Sequence, residues 1–187
     1  MKVLIVPEDP THDPHIIKPI VQSILDDLGR KAWVDVLRDP HLRGTSDALN
    51  ATTIAEVVSE NPMIDLFVLV VDRDCNREGN ESKAAARAQE HPGKLIACLA
   101  KQEVEVWLLA LHSDLIGEPW QAVRADCDPK ERFGEPLLRQ LGSAGPGAGR
   151  KAAMRALAGH LRPLLSRCDE LMQLRTDIDA WWQARVG

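Results

Sequence analysis

The chain has 187 residues, which is enough for one domain of ordinary size with a full hydrophobic core. Its composition, 44% hydrophobic and 27% charged residues, is typical of a globular protein in water. No apolar run approaches the roughly 18–20 residues that a membrane span needs, so we expect no membrane partner. The net charge of −5 argues against nucleic-acid binding by bulk positive charge, but it is compatible with a local basic groove beside an acidic site.

The first residues do not have the pattern of a signal peptide. The apolar run at residues 3–6 is short and is followed at once by Pro7, Glu8 and Asp9. The four cysteines are scattered and form no CxxC pair; they are Cys75, Cys98, Cys127 and Cys168. This usage predicts reduced thiols in a cytoplasmic protein rather than a disulfide framework or a zinc site.

Strand and helix patterns alternate through the first hundred residues. Short apolar segments predict strands at residues 3–6, 32–37, 66–71 and 94–100. Helical spacing of apolar residues predicts helices at residues 14–28, 46–60, 81–90 and 102–112, with a polar loop at 76–80. Repeats of this kind favour a parallel sheet with right-handed crossovers. The predicted fold class is therefore α/β, with a four-stranded, mainly parallel sheet flanked by helices.

Beyond residue 113 the strand patterns stop. Helices are predicted at residues 129–141, 149–166 and 169–185. The glycine-rich segment 142–149 lacks the GxxxxGK[ST] order and follows a helix, so it is interpreted as a linker rather than a phosphate-binding loop. The helices carry apolar stripes that need partners. We therefore expect an α/β core at residues 1–112 and an all-helical extension at residues 113–187, packed together as one unit.

Acidic residues follow three of the four predicted strands. Asp72 and Asp74 end the longest apolar run, and the pairs Glu8/Asp9 and Glu103/Glu105 follow the first and fourth strands. Because the carboxyl ends of parallel strands meet at one edge of a sheet, these side chains are expected to converge there. Converging carboxylates repel unless a cation lies between them, and Mg²⁺ or Mn²⁺ is the expected ion. The alternative is that each acid merely occupies a loop or caps a helix.

At this point the sequence resembles a known family. The motifs that carry the resemblance occur in the order Glu8, Asp72-Arg73-Asp74 and Glu105-Val106-Trp107-Leu108-Leu109. They look like those of the Toprim domain, the catalytic module of topoisomerases and primases. The similarity extends to small stand-alone bacterial Toprim-like proteins, akin to nucleases of the overcoming-lysogenization-defect type in phage defence. Asp128-Pro129-Lys130-Glu131 and Arg150-Lys151 add to it. A departure is the absence of a glycine soon after Glu8.

The resemblance implies a Rossmann-like sheet and metal-dependent hydrolysis of phosphodiesters. Asp72 and Asp74 would hold Mg²⁺ or Mn²⁺, and Glu8 would act as general acid/base or bind a second ion. The resemblance selects Glu105 over Glu103 as a further ligand or as the residue that orients water. The chain contains no tyrosine, which excludes covalent strand passage of the topoisomerase kind. It is also too short for the template-handling domains of a primase.

Candidate substrate contacts are basic residues in two regions. They are Arg73, Arg77, Lys83, Arg150 and Lys151. Lys151, Arg155 and Arg162 have near-helical spacing, which would suit either a phosphate backbone or a solvated helix face. The expected partner is nucleic acid, DNA rather than RNA.

Two other functions fit the same acids. One is a receiver-like or phosphatase-like phosphoryl-transfer domain, for which Lys101 is available after the last strand, although the acid spacing and the helical tail suit it poorly. The other is a non-enzymatic subunit that keeps a Toprim-like shell and partners an ATPase or another product of a defence operon. The sequence does not determine the oligomeric state.

Overall fold

The computed structural model describes residues 1–75 and 79–186. At its centre is a four-stranded sheet in which all neighbouring strands are parallel. The strands are Lys2–Pro7 (β1), Trp33–Val36 (β2), Leu66–Asp72 (β3) and Leu95–Ala100 (β4). Each strand begins and ends within one residue of its predicted bounds, because polar residues on both sides of an apolar run define where the strand begins and ends. The predicted α/β class with a four-stranded parallel sheet is confirmed.

The strand order is β2-β1-β3-β4. From β1 the chain crosses to β2 on one side, then returns to place β3 on the other side and continues outward to β4. The pairing of Pro7 with Val70, and of Asp72 with Ala100, brings the carboxyl ends of β1, β3 and β4 together at one edge. In open parallel sheets the crevice where the strand order reverses is the usual place for a ligand. Here that crevice lies between β1 and β3.

Eleven α-helices are present in the described residues. They are Pro14–Asp27 (α1), Thr45–Ala48 (α2), Ala51–Glu60 (α3), Asn80–Glu90 (α4), Glu105–Leu111 (α5), Ser113–Ile116 (α6), Trp120–Ala125 (α7), Glu135–Leu141 (α8), Arg150–Ala153 (α9), Leu161–Arg167 (α10) and Asp169–Val186 (α11). A π-helical segment, Lys130–Gly134, precedes α8, and a 3₁₀ segment, Met154–Leu157, follows α9.

Two predicted helices are interrupted. The helix expected at 46–60 is split into α2 and α3 because Asn50 adopts an extended conformation and its side chain accepts a hydrogen bond from Thr53 N–H at 3.1 Å. This is an N-cap, which starts a new helix inside an otherwise helical apolar pattern. The helix expected at 149–166 is broken at Gly159, whose φ is +76°. The short helices α6 and α7 were not expected.

The two faces of the sheet carry separate hydrophobic clusters. Alternate residues of β3 point to opposite faces, with Val68 on one and Leu69 on the other. The first face packs against α1, α5 and the C-terminal helices, which contribute Leu164 and Leu171 among other residues. The second packs against α2, α3 and α4. The helical C-terminal region thus shares its core with one face of the sheet.

The cysteines do not all behave as the sequence suggested. Cys75 and Cys127 form a disulfide with an S–S distance of 2.02 Å, whereas Cys98 and Cys168 are free and buried. The expectation of four reduced thiols was therefore wrong for this pair, because the fold brings together two loops that are 52 residues apart. In the part of the chain that the structure describes, no helix is both long and apolar enough to cross a membrane.

Candidate active site

A cavity of about 470 Å³ lies beyond the carboxyl ends of β1, β3 and β4. Its lining is strongly acidic: seven carboxyl side chains face it, against Arg43 and Lys130. We call this cavity the acid pocket. Its acidic residues are Glu8, Asp9, Asp13, Asp72, Asp74, Glu103 and Glu105. The fold thus brings together the four acids singled out from the sequence, Glu8, Asp72, Asp74 and Glu105.

Glu8 follows β1, and both of its carboxylate oxygens accept hydrogen bonds. Thr45 Oγ1 donates to Oε1 at 2.7 Å, and the backbone N–H of Asp72 donates to Oε2 at 3.0 Å. Gly44, with φ of +93°, precedes Thr45 and donates its N–H to the carbonyl of Glu8 at 3.3 Å. The loop before α2 therefore helps to orient this carboxylate.

Asp72 is the last residue of β3. Its Oδ1 accepts a hydrogen bond from the backbone N–H of Val104 at 3.0 Å. Burial raises the pKa of Asp72 well above its usual range, and the negative charges of Asp13, Glu8 and Glu105 raise it further. Asp72 therefore lies in a buried and acidic environment that disfavours its charged form.

Arg73 and Asp74 leave the strand in different directions. The guanidinium of Arg73 donates to Gln102 Oε1 at 3.2 Å and lies 3.8 Å from the carboxylate of Glu81. Asp74 has a φ of +57°, and its backbone N–H donates to the carbonyl of Gln102 at 3.2 Å. This left-handed turn directs the chain away from the sheet while Asp74 lines the acid pocket. The positive charge of Arg73 is engaged outside the pocket.

Glu105 and Arg150 form a buried ion pair. Their exposed fractions are 4% and 5%, and two nitrogens of Arg150 donate to Glu105 Oε1, at 2.6 and 3.2 Å. A third nitrogen of Arg150 donates to the carbonyl of Gly147 at 3.1 Å. Arg150, a candidate substrate contact from the sequence, thus lies inside the protein and neutralises the acid that the family resemblance selected.

Asp13, just before α1, is an acid of the pocket that the sequence did not indicate. Burial and the charges of Glu105 and Glu8 raise the pKa of Asp13 to about 8, although its Oδ2 accepts the N–H of Asp9 at 3.0 Å. An acid just before the first turn of a helix looks like an N-cap, so no sequence signal reveals this position.

Glu103 and Lys130 both line the acid pocket and are in direct contact. The backbone N–H of Lys130 donates to Glu103 Oε2 at 3.0 Å, while burial, followed by the charges of Glu105 and Glu131, raises the pKa of Glu103 to about 7. Burial lowers the pKa of Lys130, but the attraction of Glu105 and Glu103 outweighs it and the net shift is upward. The motif that contains Lys130 is visible in the sequence, but only the tertiary structure shows that Lys130 lines the pocket.

The remaining candidate contacts lie elsewhere. Lys83 lines a separate small cavity beside Thr45 and Asn80, and Lys151 lines a groove along α1. Arg77 lies outside the described residues. Asp9, which does line the acid pocket, accepts hydrogen bonds from the backbone N–H groups of Thr11 and His12 within its own loop.

The donor chemistry of the acid pocket fits a hard divalent cation. Seven of its lining residues carry carboxyl groups, the ligands that Mg²⁺ and Mn²⁺ prefer, and one, His41, carries an imidazole. A cation here would offset both the burial and the mutual repulsion that raise the pKa values of Asp13, Asp72 and Glu103. Across residues 1–75 and 79–186, no three His, Cys, Asp or Glu side chains are already arranged to hold a metal ion.

Comparison of the chain with models of protein families, with curated proteins and with solved structures finds no match.

Proposed function

We propose that the protein is a metal-dependent phosphodiester hydrolase, a nuclease of Toprim type that acts on DNA rather than RNA, with a role in bacterial phage defence. One observation carries the proposal. Glu8 follows β1 and Asp72 ends β3, the two strands between which the strand order reverses. The backbone N–H of Asp72 donates to Glu8, and both residues line a pocket with five further carboxyl groups. Such an excess of negative charge suits a site completed by a cation and a phosphate.

Asp72, Asp74 and Glu8 would hold the Mg²⁺ or Mn²⁺. When bound, the ion would polarise the phosphodiester and stabilise its developing charge. The two hydrogen bonds to Glu8 fix its carboxylate before substrate arrives.

Proton transfer falls to the groups whose pKa values lie near neutrality. Glu103, with a pKa of about 7, is suited to release a proton to the departing oxygen or to take one from water. The ammonium group of Lys130 faces the same space and would stabilise negative charge on a substrate oxygen. Glu105, held by Arg150, serves mainly to orient that arginine and shape the pocket wall.

Asp72→Asn tests the proposal because it removes one charge with little change of shape. We expect hydrolysis of a labelled DNA oligonucleotide in Mg²⁺ or Mn²⁺, and a loss on the order of 10³-fold in Asp72→Asn. Asp65→Asn is the matched control: Asp65 precedes β3 at the opposite edge of the sheet, where it contacts Lys2 and Arg185. We expect its rate to stay within about threefold of the wild type, since surface ion pairs contribute little.

Two readouts decide the outcome. The thermal midpoint of Asp72→Asn should equal or exceed that of the wild type, because burial and the neighbouring acids disfavour the charged form of the Asp72 carboxyl group. Crystals soaked in Mn²⁺ should show anomalous density bridging Asp72, Asp74 and Glu8. Hydrolysis that is absent with every divalent metal, or equal in Asp72→Asn, would overturn the proposal, as would a lysine or arginine side chain filling the place of the ion.

A partner-dependent subunit is the second candidate function. The observation that favours it is the buried Arg150–Glu105 pair, which engages one of the four predicted site acids inside the protein. Under this hypothesis an ATPase or another operon product would dock and rearrange that wall. Activity that appears only when the neighbouring gene product is added would support it, and full activity of the isolated chain would contradict it.

We also propose a cytoplasmic location. The disulfide between Cys75 and Cys127, both exposed, is of the kind that a reducing compartment would open. Alkylation of the protein in freshly lysed cells should therefore label both cysteines. Complete protection of the pair would place the protein in an oxidising compartment instead.

A further inference from the structure

A second and larger groove, of about 800 Å³, lies beside the acid pocket. It is walled by the start of α1, by the end of β2 with the residues that follow it, and by α9 with the 3₁₀ segment after it. Pro10 lines both cavities, so only the loop between β1 and α1 separates them. We call this cavity the basic groove.

The charge of the basic groove is opposite to that of the acid pocket. Its ionisable lining residues are His15, Lys18, Asp35, Arg38, Lys151 and Arg155. Lys18 lies 3.4 Å from the single acid, Asp35. Arg38, Lys151 and Arg155 are exposed, and no carboxylate among the described residues lies within ion-pair distance of them. Three cations therefore face the groove without internal neutralisation.

The pKa of His15, which also lines the groove, is affected by burial and by nearby positive charges. Burial lowers the pKa of its imidazole, and the charges of Lys151, His12 and Arg150 lower it further. The ring is packed against Gly147, whose φ is +66°; a Cβ there would lie 2.3 Å from Cδ2 of His15. The glycine-rich loop before α9 thus closes over this histidine and forms part of the surroundings of the groove.

The groove also offers apolar surface between its charges. Pro14, Pro19, Val36, Leu37 and Met154 contribute to the lining. A ligand complementary to this groove would carry anionic groups at intervals, with flat and weakly polar groups between them. A single nucleic-acid strand has both, whereas a duplex keeps its bases stacked inside and presents mainly phosphates.

We propose that the basic groove binds the backbone and one or two bases of a single nucleic-acid strand. Arg38, Lys151 and Arg155 would contact successive phosphates, and Val36 and Met154 would contact a base or sugar. The path past Pro10 would then deliver the next phosphodiester to the acid pocket; this last step rests on the proposed nuclease function, whereas binding in the groove does not.

The test measures binding without hydrolysis. Fluorescence anisotropy of a labelled oligothymidylate of 12 nucleotides, in EDTA, is recorded for the wild type, for Lys151→Gln/Arg155→Gln and for Arg162→Gln. Arg162 is an exposed arginine on α10 that does not line the groove, so it is the matched control. With three phosphate contacts, log K should fall against log salt with a slope of about −2, and the double variant should reduce this slope to about −0.7.

We expect the double variant to bind at least tenfold more weakly and Arg162→Gln to stay within about twofold of the wild type, with unchanged circular dichroism for both. Equal binding by the double variant would overturn the proposal. So would stronger competition by a duplex than by a single strand of equal phosphate concentration, or displacement of the strand by polyglutamate at equal charge, which would indicate an acidic peptide as the ligand.

The groove proposal and the nuclease proposal can be overturned independently of each other. Binding that depends on Lys151 and Arg155, with no hydrolysis in any metal, would uphold the groove and overturn the nuclease function. Metal-dependent hydrolysis whose KM is unchanged in the double variant would uphold the nuclease and overturn the groove.

Discussion

Two groups of carboxylates lie near the ends of β3 and β4, and they are neutralised in opposite ways. The first is the acid pocket. The second, which we call the Arg124 cluster, consists of Arg124, Asp169, Glu170 and Trp107. In the second group Glu170 accepts from Trp107 Nε1 at 2.8 Å and from two nitrogens of Arg124 at 2.8 and 2.7 Å. Arg124 also donates to Asp169 at 2.8 Å. Each buried charge there has its partner inside the protein.

Among the described residues, the lining of the acid pocket has more carboxyl groups than cations. Asp72 accepts a hydrogen bond from Val104 N–H, but the nearest charges that act on it belong to other acids. The Arg150–Glu105 pair neutralises a single member of the group. Removing one partner of a buried ion pair leaves a charge without compensation and costs stability, whereas carboxylates that repel one another lower stability unless a cation binds between them. The four predictions below test this difference, from the largest expected effect to the smallest.

Arg124→Leu should destabilise the protein by about 3–5 kcal/mol, because it leaves the charge of Glu170 buried without its partner. Urea unfolding followed by circular dichroism measures this. Arg175→Leu, which removes a half-exposed pair with Asp27, is the control and should cost no more than about 1 kcal/mol. A loss below 1 kcal/mol in Arg124→Leu would show that the cluster is not structural.

The disulfide joins the two regions, because Cys75 follows Asp74 and Cys127 stands between Arg124 and Lys130 in the sequence. Cys75→Ser should reduce the free energy of unfolding by up to about 4 kcal/mol, since a crosslink over 52 residues restricts the unfolded chain. Wild-type protein unfolded with a dithiol reductant should show the same loss, and reductant should not affect Cys75→Ser further. Identical stability of the oxidised and reduced wild type would contradict this expectation.

Stability should fall as pH rises, and Asp13 should contribute to the fall. Its pKa of about 8 in the folded state exceeds the ordinary 3.8, so the folded state binds the extra proton between these values. The stabilisation is complete below pH 3.8 and is lost as pH rises to about 8, with a slope of up to about 1.4 kcal/mol per pH unit. Urea unfolding at pH 5 and pH 8 measures this difference.

Asp13→Asn should reduce the difference between the two pH values, and Mg²⁺ should raise wild-type stability mainly at pH 8, where the carboxyls are ionised. Asp26→Asn, an exposed position on α1, serves as the control. Stability that increases from pH 5 to pH 8 in the absence of metal would contradict the charge imbalance in the acid pocket.

Thr45→Val should have the smallest effect. It removes the hydrogen bond to Glu8 Oε1, worth about 1 kcal/mol, and lets this carboxylate rotate. We expect a several-fold weaker Mn²⁺ affinity by calorimetry with the fold retained. Thr52→Val, at an exposed position of α3, should leave the affinity unchanged. An unaltered affinity in Thr45→Val would mean that Glu8 is not a ligand.

Much of the fold could be predicted because its signals are local. The apolar runs of β1 and β3 and the stripe of α1 appear in the sequence at the spacing that the structure has. The helix breaks at Asn50 and Gly159 were missed, because capping and a positive φ outweigh an apolar pattern that continues through them. The disulfide was missed because pairing depends on the distance between two loops, not on sequence spacing.

The candidate site, like the fold, was predictable from the sequence only in part. Parallel topology made it predictable that Glu8, Asp72, Asp74 and Glu105 would meet, since residues that follow parallel strands share an edge. The partners of each acid were not predictable. Arg150 pairs with Glu105 across 45 residues, and Asp13 enters the pocket from a helix start.

The sequence by itself therefore determined the strands, the helices that alternate with them and the edge at which the acids gather, because these depend on periodicity and chain order. Only the tertiary structure decided which charges are neutralised. It placed Arg150 and Arg124 against their carboxylates and left Asp72 among other acids. It also set three cations in the neighbouring groove where, within residues 1–75 and 79–186, no carboxylate pairs with them. The physical reason is that electrostatic balance depends on distance and burial, which residues far apart in the chain acquire only when it folds.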